Sequence, residues 1–211
     1  MTETLRERER DLDRFLTFID AVVAIAITLL VLPLVEVAGE ARNGHVGELL
    51  RENGSQLLGF ALSFVVIAQL WANQHRIVSG LVVQDRTVTR LMLAWAFTIV
   101  LLPLPTALVA VAGSDPVTKV FYIGTMAVSS ALLGAMAWVI GRNRSIRDTD
   151  DRPNAALSLA TVLGFLVALA ITLALPETSY FPLLVLLLTD PVTRLLQRAL
   201  AGRRGPTHMG E

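Results

Sequence analysis

The sequence predicts an all-α integral membrane protein with six transmembrane helices per subunit. Three observations carry this. Of 211 residues, 54% are hydrophobic and only 17% are charged, where a soluble domain carries about 25% charged residues. Long apolar runs alternate with short polar ones, the pattern of a chain that crosses a bilayer repeatedly. The basic residues also fall almost entirely on alternate connections, as the positive-inside rule requires.

A helix crossing the hydrocarbon core needs about 20 mostly apolar residues. Six segments qualify as spans: residues 15–35, 56–72, 91–112, 117–140, 155–175 and 180–196. The sixth is the weakest, because Asp190-Pro191 interrupts its second half. The arm before the first span alternates charge sign, as a solvated helical turn or two would. Residues 1–14 are therefore read as a cytoplasmic arm, 15–198 as one membrane domain and 199–211 as a disordered cytoplasmic tail.

Loop charges fix the orientation. The arm carries Arg6, Arg8, Arg10 and Arg14. The loop after the second span has Arg76, Arg86 and Arg90. The loop after the fourth has Arg142, Arg144, Arg147 and Arg152. The C-terminal end has Arg194, Arg198, Arg203 and Arg204. That makes 15 basic residues on one side against Arg42, Arg51 and Lys119 on the other. Both termini are thus expected in the cytoplasm, which needs an even number of spans. The first span is not read as a cleaved signal. Its leader is as acidic as it is basic, and its apolar stretch exceeds the roughly 7 to 15 residues of a signal core.

Several function classes lose support. Net charge is zero, so no bulk attraction to nucleic acid follows. There is no cysteine, hence no disulfide and no thiolate chemistry. The three histidines, His45, His75 and His208, lie far apart, and neither HExxH nor GxSxG occurs. An enzyme is not expected, nor a cofactor or resident metal.

The first span reads RFLTFIDAVVAIAITLLVLPL. On a 3.6-residue helix, Ile25, Leu29 and Leu32 share one face, bordered by Thr28 and extended downward by Phe18 and Arg14. Asp20 lies five positions before Ile25, about 140° around the axis. It cannot face what the stripe faces. A carboxyl at the end of a membrane helix faces protein or water, so Asp20 is read as turned toward other helices of its own subunit. Candidate partners are Trp71, Asn73, Gln74 and His75 at the end of the second span. A hydrogen-bonding post that sets helix register is favoured over a proton or cation site. Lipid contact is the default for the apolar stripe itself, and these residues alone do not lift it to a pore lining.

Pro103 and Pro105 are read as a fixed kink in the third span. Ala127, Ala131 and Ala135, with Ser130 and Gly134 beside them, are read as a small-residue packing face on the fourth.

Three motifs together resemble the transmembrane protein 175 family, lysosomal-type potassium channels and their prokaryotic relatives. Arg14, Phe18 and Asp20 match the first-helix pattern of Arg, three residues, then Phe-Ser-Asp, with Ile19 in place of the serine. Trp71 and His75 in LWANQHR resemble the family's second-helix end. LLPLPTALV resembles its Leu-Pro-Phe-Pro-Thr-Ala segment, with Leu104 where phenylalanine is usual. The motifs fall in order through the first three spans. The second half resembles the family in topology only.

The resemblance implies a homotetramer in the cell membrane whose four first helices line a central pore. It implies a potassium-preferring channel conducting passively. By spacing from Asp20, the apolar rings would be Ile25, Leu29 and Leu32, with Thr28 as a threonine layer. Arg14, Phe18, Asp20, Trp71 and His75 would hold the helices together away from the pore. No TVGYG-like filter is present, so selectivity would rest on dehydration at apolar rings rather than on a carbonyl cage. The partners implied are the chain's own copies, the lipid bilayer and permeant potassium ions. The alternatives are a secondary or proton-coupled transporter, which would need midplane charges, and a non-conducting membrane scaffold. A tetramer in detergent would favour the channel.

Overall fold

The structure is a computed structural model and describes residues 2–40, 46–83, 85–112 and 115–143. Over these residues the chain forms seven α-helices and no β-strand. They are α1 (Thr2–Leu29), α2 (Leu32–Glu40), α3 (Val46–Glu52), α4 (Gly54–Val78), α5 (Arg86–Leu101), α6 (Pro103–Ala112) and α7 (Pro116–Arg142). Four segments are long and apolar enough to cross a bilayer: Arg10–Glu36, Gly54–Val78, Arg86–Val109 and Pro116–Arg142. They contain most of the first four expected spans, although the third stops three residues short of 112. The fifth and sixth expected spans and the C-terminal tail lie outside the described residues.

Two spans are broken by proline, each for the same reason. Pro33 has no N–H to give to the carbonyl of Leu29. The helix stops at Leu29, tightens through Leu30 N to Ile27 O and Val31 N to Thr28 O, both 3.3 Å, and resumes at Leu32. The third span stops at Leu101 and restarts with Pro103 as its first residue, where the missing N–H is harmless. Leu102, fully buried at that break, gives its N–H to Ile99 O at 3.2 Å. The kink expected at Pro103 is thus a true interruption, and the first span, expected as one helix, has an interruption of its own.

Two helix starts are fixed by aspartates. Asp85 Oδ1 accepts from Thr87 N (2.8 Å) and Val88 N (3.0 Å) to cap α5. Asp115 Oδ2 accepts from Thr118 N at 3.0 Å to cap α7, with Pro116 following. Such caps contribute about 1 kcal/mol each. The charged arm is not a separate turn. It is continuous with the membrane part of α1 from Thr2 onward, and its exposed Glu7–Arg10 and Asp11–Arg14 spacings suit a solvated helix.

The α5–α6 span is the hub. α5 packs on α1 and α7, and α6 on α4 and α7, while α4 closes against α7 and α1. The core is made of Ile19, Val23 and Ala26 from α1, Val66, Ile67 and Leu70 from α4, Met92, Trp95 and Ile99 from α5, and Tyr122, Ile123, Met126, Leu133 and Met136 from α7. On α7 the buried face runs through Tyr122, Met126, Ser129, Leu133 and Ile140. That differs from the alanine face expected from spacing: Ala127 is buried, but Ala131 is exposed and Ala135 half-exposed. Ser130 and Ala127 are thus buried together with the larger side chains, and Ala131 is left on the outside.

Candidate functional site

α1 is divided lengthwise. Leu12, Ile19, Val23 and Ala26, with Leu30 just past its end, recur at helical spacing and are buried against the bundle. The opposite side is bare. Phe18, Ile25 and Leu29 on α1 and Leu32 at the start of α2 are 53%, 60%, 39% and 52% exposed, and Arg14 and Thr28 are exposed with them. Leu32 lies beyond the break at Leu30–Val31, so Ile25 and Leu29 share one regular helix while Leu32 follows on the next.

Thr28 sits inside this bare face. Its hydroxyl donates to the carbonyl of Ile25 at 2.7 Å. The proton is therefore committed within the helix, and the oxygen keeps its lone pairs for an outside donor or a cation. Breaking this bond would uncover nothing buried, since both residues are exposed.

Asp20 lies around the helix from the bare stripe and is half-buried. Its Oδ1 accepts from Trp71 Nε1 at 2.8 Å, joining α1 to α4. The rings of Trp71 and His75 lie 5.8 Å apart and tilted by 33°, one helical turn from each other. The other candidate partners go elsewhere. Asn73 Oδ1 accepts from Arg76 at 3.3 Å, and Gln74 is buried. The structure so brings together Asp20, Trp71 and His75. It leaves Arg14 and Phe18 on the outer face of α1 with the stripe. Ile19, in the position of the motif serine, is fully buried and adds core packing in place of a hydroxyl.

A second polar feature was not singled out by sequence. Tyr122 OH and Ser63 Oγ lie 2.8 Å apart, Thr106 Oγ1 and Ser63 Oγ 2.9 Å apart, and Thr106 Oγ1 reaches Leu102 O at 2.8 Å. One proton order satisfies the whole chain: Tyr122 donates to Ser63, Ser63 to Thr106 and Thr106 to the carbonyl. It ties α4, α6 and α7 together inside the apolar zone. The available signal was Ser63, an isolated hydroxyl within an apolar span, and Thr106, which follows the Pro-x-Pro.

Among the described residues no group of three or more His, Asp or Glu is placed to hold a metal ion. The site therefore consists of a bare apolar stripe with one hydroxyl, braced from behind by a carboxyl–indole bond. Such a surface can cover an apolar partner or, repeated around an axis, line a narrow path for ions. Residues 14–103 match the family model described as the endosomal/lysosomal potassium channel TMEM175.

That stretch, less than half of the chain, is where the chain resembles the TMEM175 family.

The matched segment begins at Arg14 and ends at Pro103, so it contains the whole stripe, the Asp20–Trp71 bond and the start of the α6 kink. A relative from Streptomyces collinus, named a potassium channel, is 28% identical over 152 residues, spanning 70% of this chain and 72% of the relative. The fold is that of a crystal structure of a lysosomal potassium-selective channel TMEM175 homolog from Chamaesiphon minutus. The two agree with a TM-score of 0.73 at 24% identity, over 87% of this chain and 98% of the other. The chain thus spans most of the length of both proteins.

Proposed function

We propose that this chain is a passive, potassium-preferring cation channel of the cell membrane. It works as a homotetramer with six helices per subunit, both termini in the cytoplasm and the first helices lining a central pore. The observation that carries this is the bare stripe of Ile25, Thr28, Leu29 and Leu32 on a helix whose other face is fully packed. The match of residues 14–103 to the TMEM175 family model and the likeness to a relative named a potassium channel support the same reading.

In this reading Ile25, Leu29 and Leu32 from four subunits form successive apolar rings. A narrow apolar ring opposes ions by dewetting and by forcing them to shed water. Potassium, larger and with a weaker field than sodium, sheds water more readily and passes preferentially. The lone pairs of Thr28 face the path and replace part of the lost hydration. Asp20, Trp71 and His75 act behind the pore, fixing the rotation of α1 so that the stripe meets the axis, with Arg14 and Phe18 contributing at the cytoplasmic end. Conduction needs no catalytic group, cofactor or resident metal.

The test is ion flux from proteoliposomes, potassium against sodium, for wild type and Ile25→Asn. Flux that prefers potassium, with rate or selectivity changed by the substitution, is expected. Flux indifferent to Ile25 would remove α1 from the pore, and a monomer in detergent would favour a carrier or scaffold.

A further inference from the structure

The last turn of α7 carries a second arrangement unconnected with the stripe. Trp138 is 56% exposed, and the guanidinium carbon of Arg142 lies 5.2 Å from the centre of its ring. That is within the range of a cation–π contact. The two residues are four apart, so the helix itself holds them in register. Their neighbours Met136, Ala137 and Ile140 point into the core, which turns Trp138 and Arg142 outward from the bundle.

We propose that Trp138 and Arg142 form a docking site for the phosphate of an anionic lipid headgroup. The membrane-spanning segment Pro116–Arg142 ends at this point, so Arg142 stands at the level of the headgroups. An indole is favoured at that depth, its body among the glycerol and upper acyl groups. The indole lies against one side of the guanidinium, whose five N–H donors offer a fork that matches two phosphate oxygens. Arg142 makes no ion pair with a described acidic residue. The next charges in the sequence, Arg144 and Arg147, are also basic, and no acid follows until Asp148. On the orientation that the charge distribution supports, this end meets the cytoplasmic leaflet, where anionic lipids give the surface a negative potential. A lipid fits better than a free phosphate because the site continues into an apolar helix surface: exposed Ala131 and half-exposed Ala135 lie on the same side of α7.

The experiment reads lipid contact and not ion flux, so it stands or falls separately from the channel. The full chain is reconstituted in phosphatidylcholine containing some phosphatidylglycerol, with bromine on the acyl chains of one lipid or the other. Bromine quenches tryptophan on contact. Trp71 and Trp95 are subtracted by using the Trp138→Phe protein as the blank. One basic residue near such a surface enriches anionic lipid about fivefold, so quenching of Trp138 should be several-fold stronger with the label on phosphatidylglycerol. Arg142→Gln should bring the two labels to parity, Arg142→Lys should fall between, and inorganic phosphate in the buffer should change nothing. Equal quenching in wild type would overturn the site. So would absence of quenching by either label, full preference retained in Arg142→Gln, or competition by inorganic phosphate.

Discussion

Trp71 Nε1 donates to Asp20 Oδ1 at 2.8 Å, the polar side-chain bond that couples the first membrane span to the second. It sits around α1 from the bare stripe. Trp71→Phe keeps the ring and removes the donor. It should lower stability by about 1 kcal/mol, discounted for the partial exposure of both groups. Asp20→Asn keeps an acceptor oxygen and should lose less. Thermal unfolding of the purified protein in one detergent ranks the two. Equal losses would mean that the contact works through packing and not through the hydrogen bond.

Much of this relationship was legible in the residues. A period of 3.6 sets Asp20 away from Ile25, Leu29 and Leu32, and a carboxyl in a membrane helix needs a protein partner. Periodicity pairs Trp71 with His75 on one side of that helical end and sets Asn73 on the other, but it does not say which side meets α1. The choice depends on how α4 packs against α1, which burial of Val66, Ile67 and Leu70 decides. The break at Leu30–Val31 was missed because a helical wheel assumes a regular helix through Pro33. The small-residue face of α7 divides in a way that spacing does not foretell: Ala127 and Ser130 are buried beside Tyr122, Met126 and Leu133, while Ala131 is exposed. Small residues permit close approach but do not say which partner approaches.

The hydroxyl chain of Tyr122, Ser63 and Thr106 yields a graded prediction. Ser63 is its middle member, 2.8 Å from Tyr122 and 2.9 Å from Thr106. Ser63→Ala removes both contacts and leaves the Tyr122 hydroxyl buried without this partner, so it should destabilise by about 1–3 kcal/mol. Tyr122→Phe removes one end with its own hydroxyl and should stay below about 1 kcal/mol. Denaturant titration in detergent gives the order. If Tyr122→Phe is the more harmful, the bridge is not what joins α4 to α7.

The absence of cysteine from the chain makes the orientation of α1 directly readable. Single cysteines at Ile25, Leu29 and Leu32 should let a small charged thiol reagent block flux. Single cysteines at Val23 and Ala26, both buried against the bundle, should leave flux unchanged by the reagent. Block at Val23 and not at Ile25 would mean that α1 is rotated by about half a turn from the proposed pore.

Thr28 offers the sharpest separation of selectivity from folding. Its hydroxyl bonds only its own helix, at the carbonyl of Ile25, and lies on the exposed face. Thr28→Val keeps the branched shape and removes the oxygen. Stability should change by less than about 0.5 kcal/mol, as for surface positions generally. The potassium-to-sodium flux ratio should fall several-fold, because an ion stripped of water at the neighbouring apolar rings loses a replacement oxygen from each subunit. Thr28→Ser restores the oxygen and should recover most of the ratio. Proteoliposome flux with each cation in turn measures both. An unchanged ratio in Thr28→Val, with flux intact, would leave discrimination to the apolar rings alone and would take the threonine layer out of the mechanism.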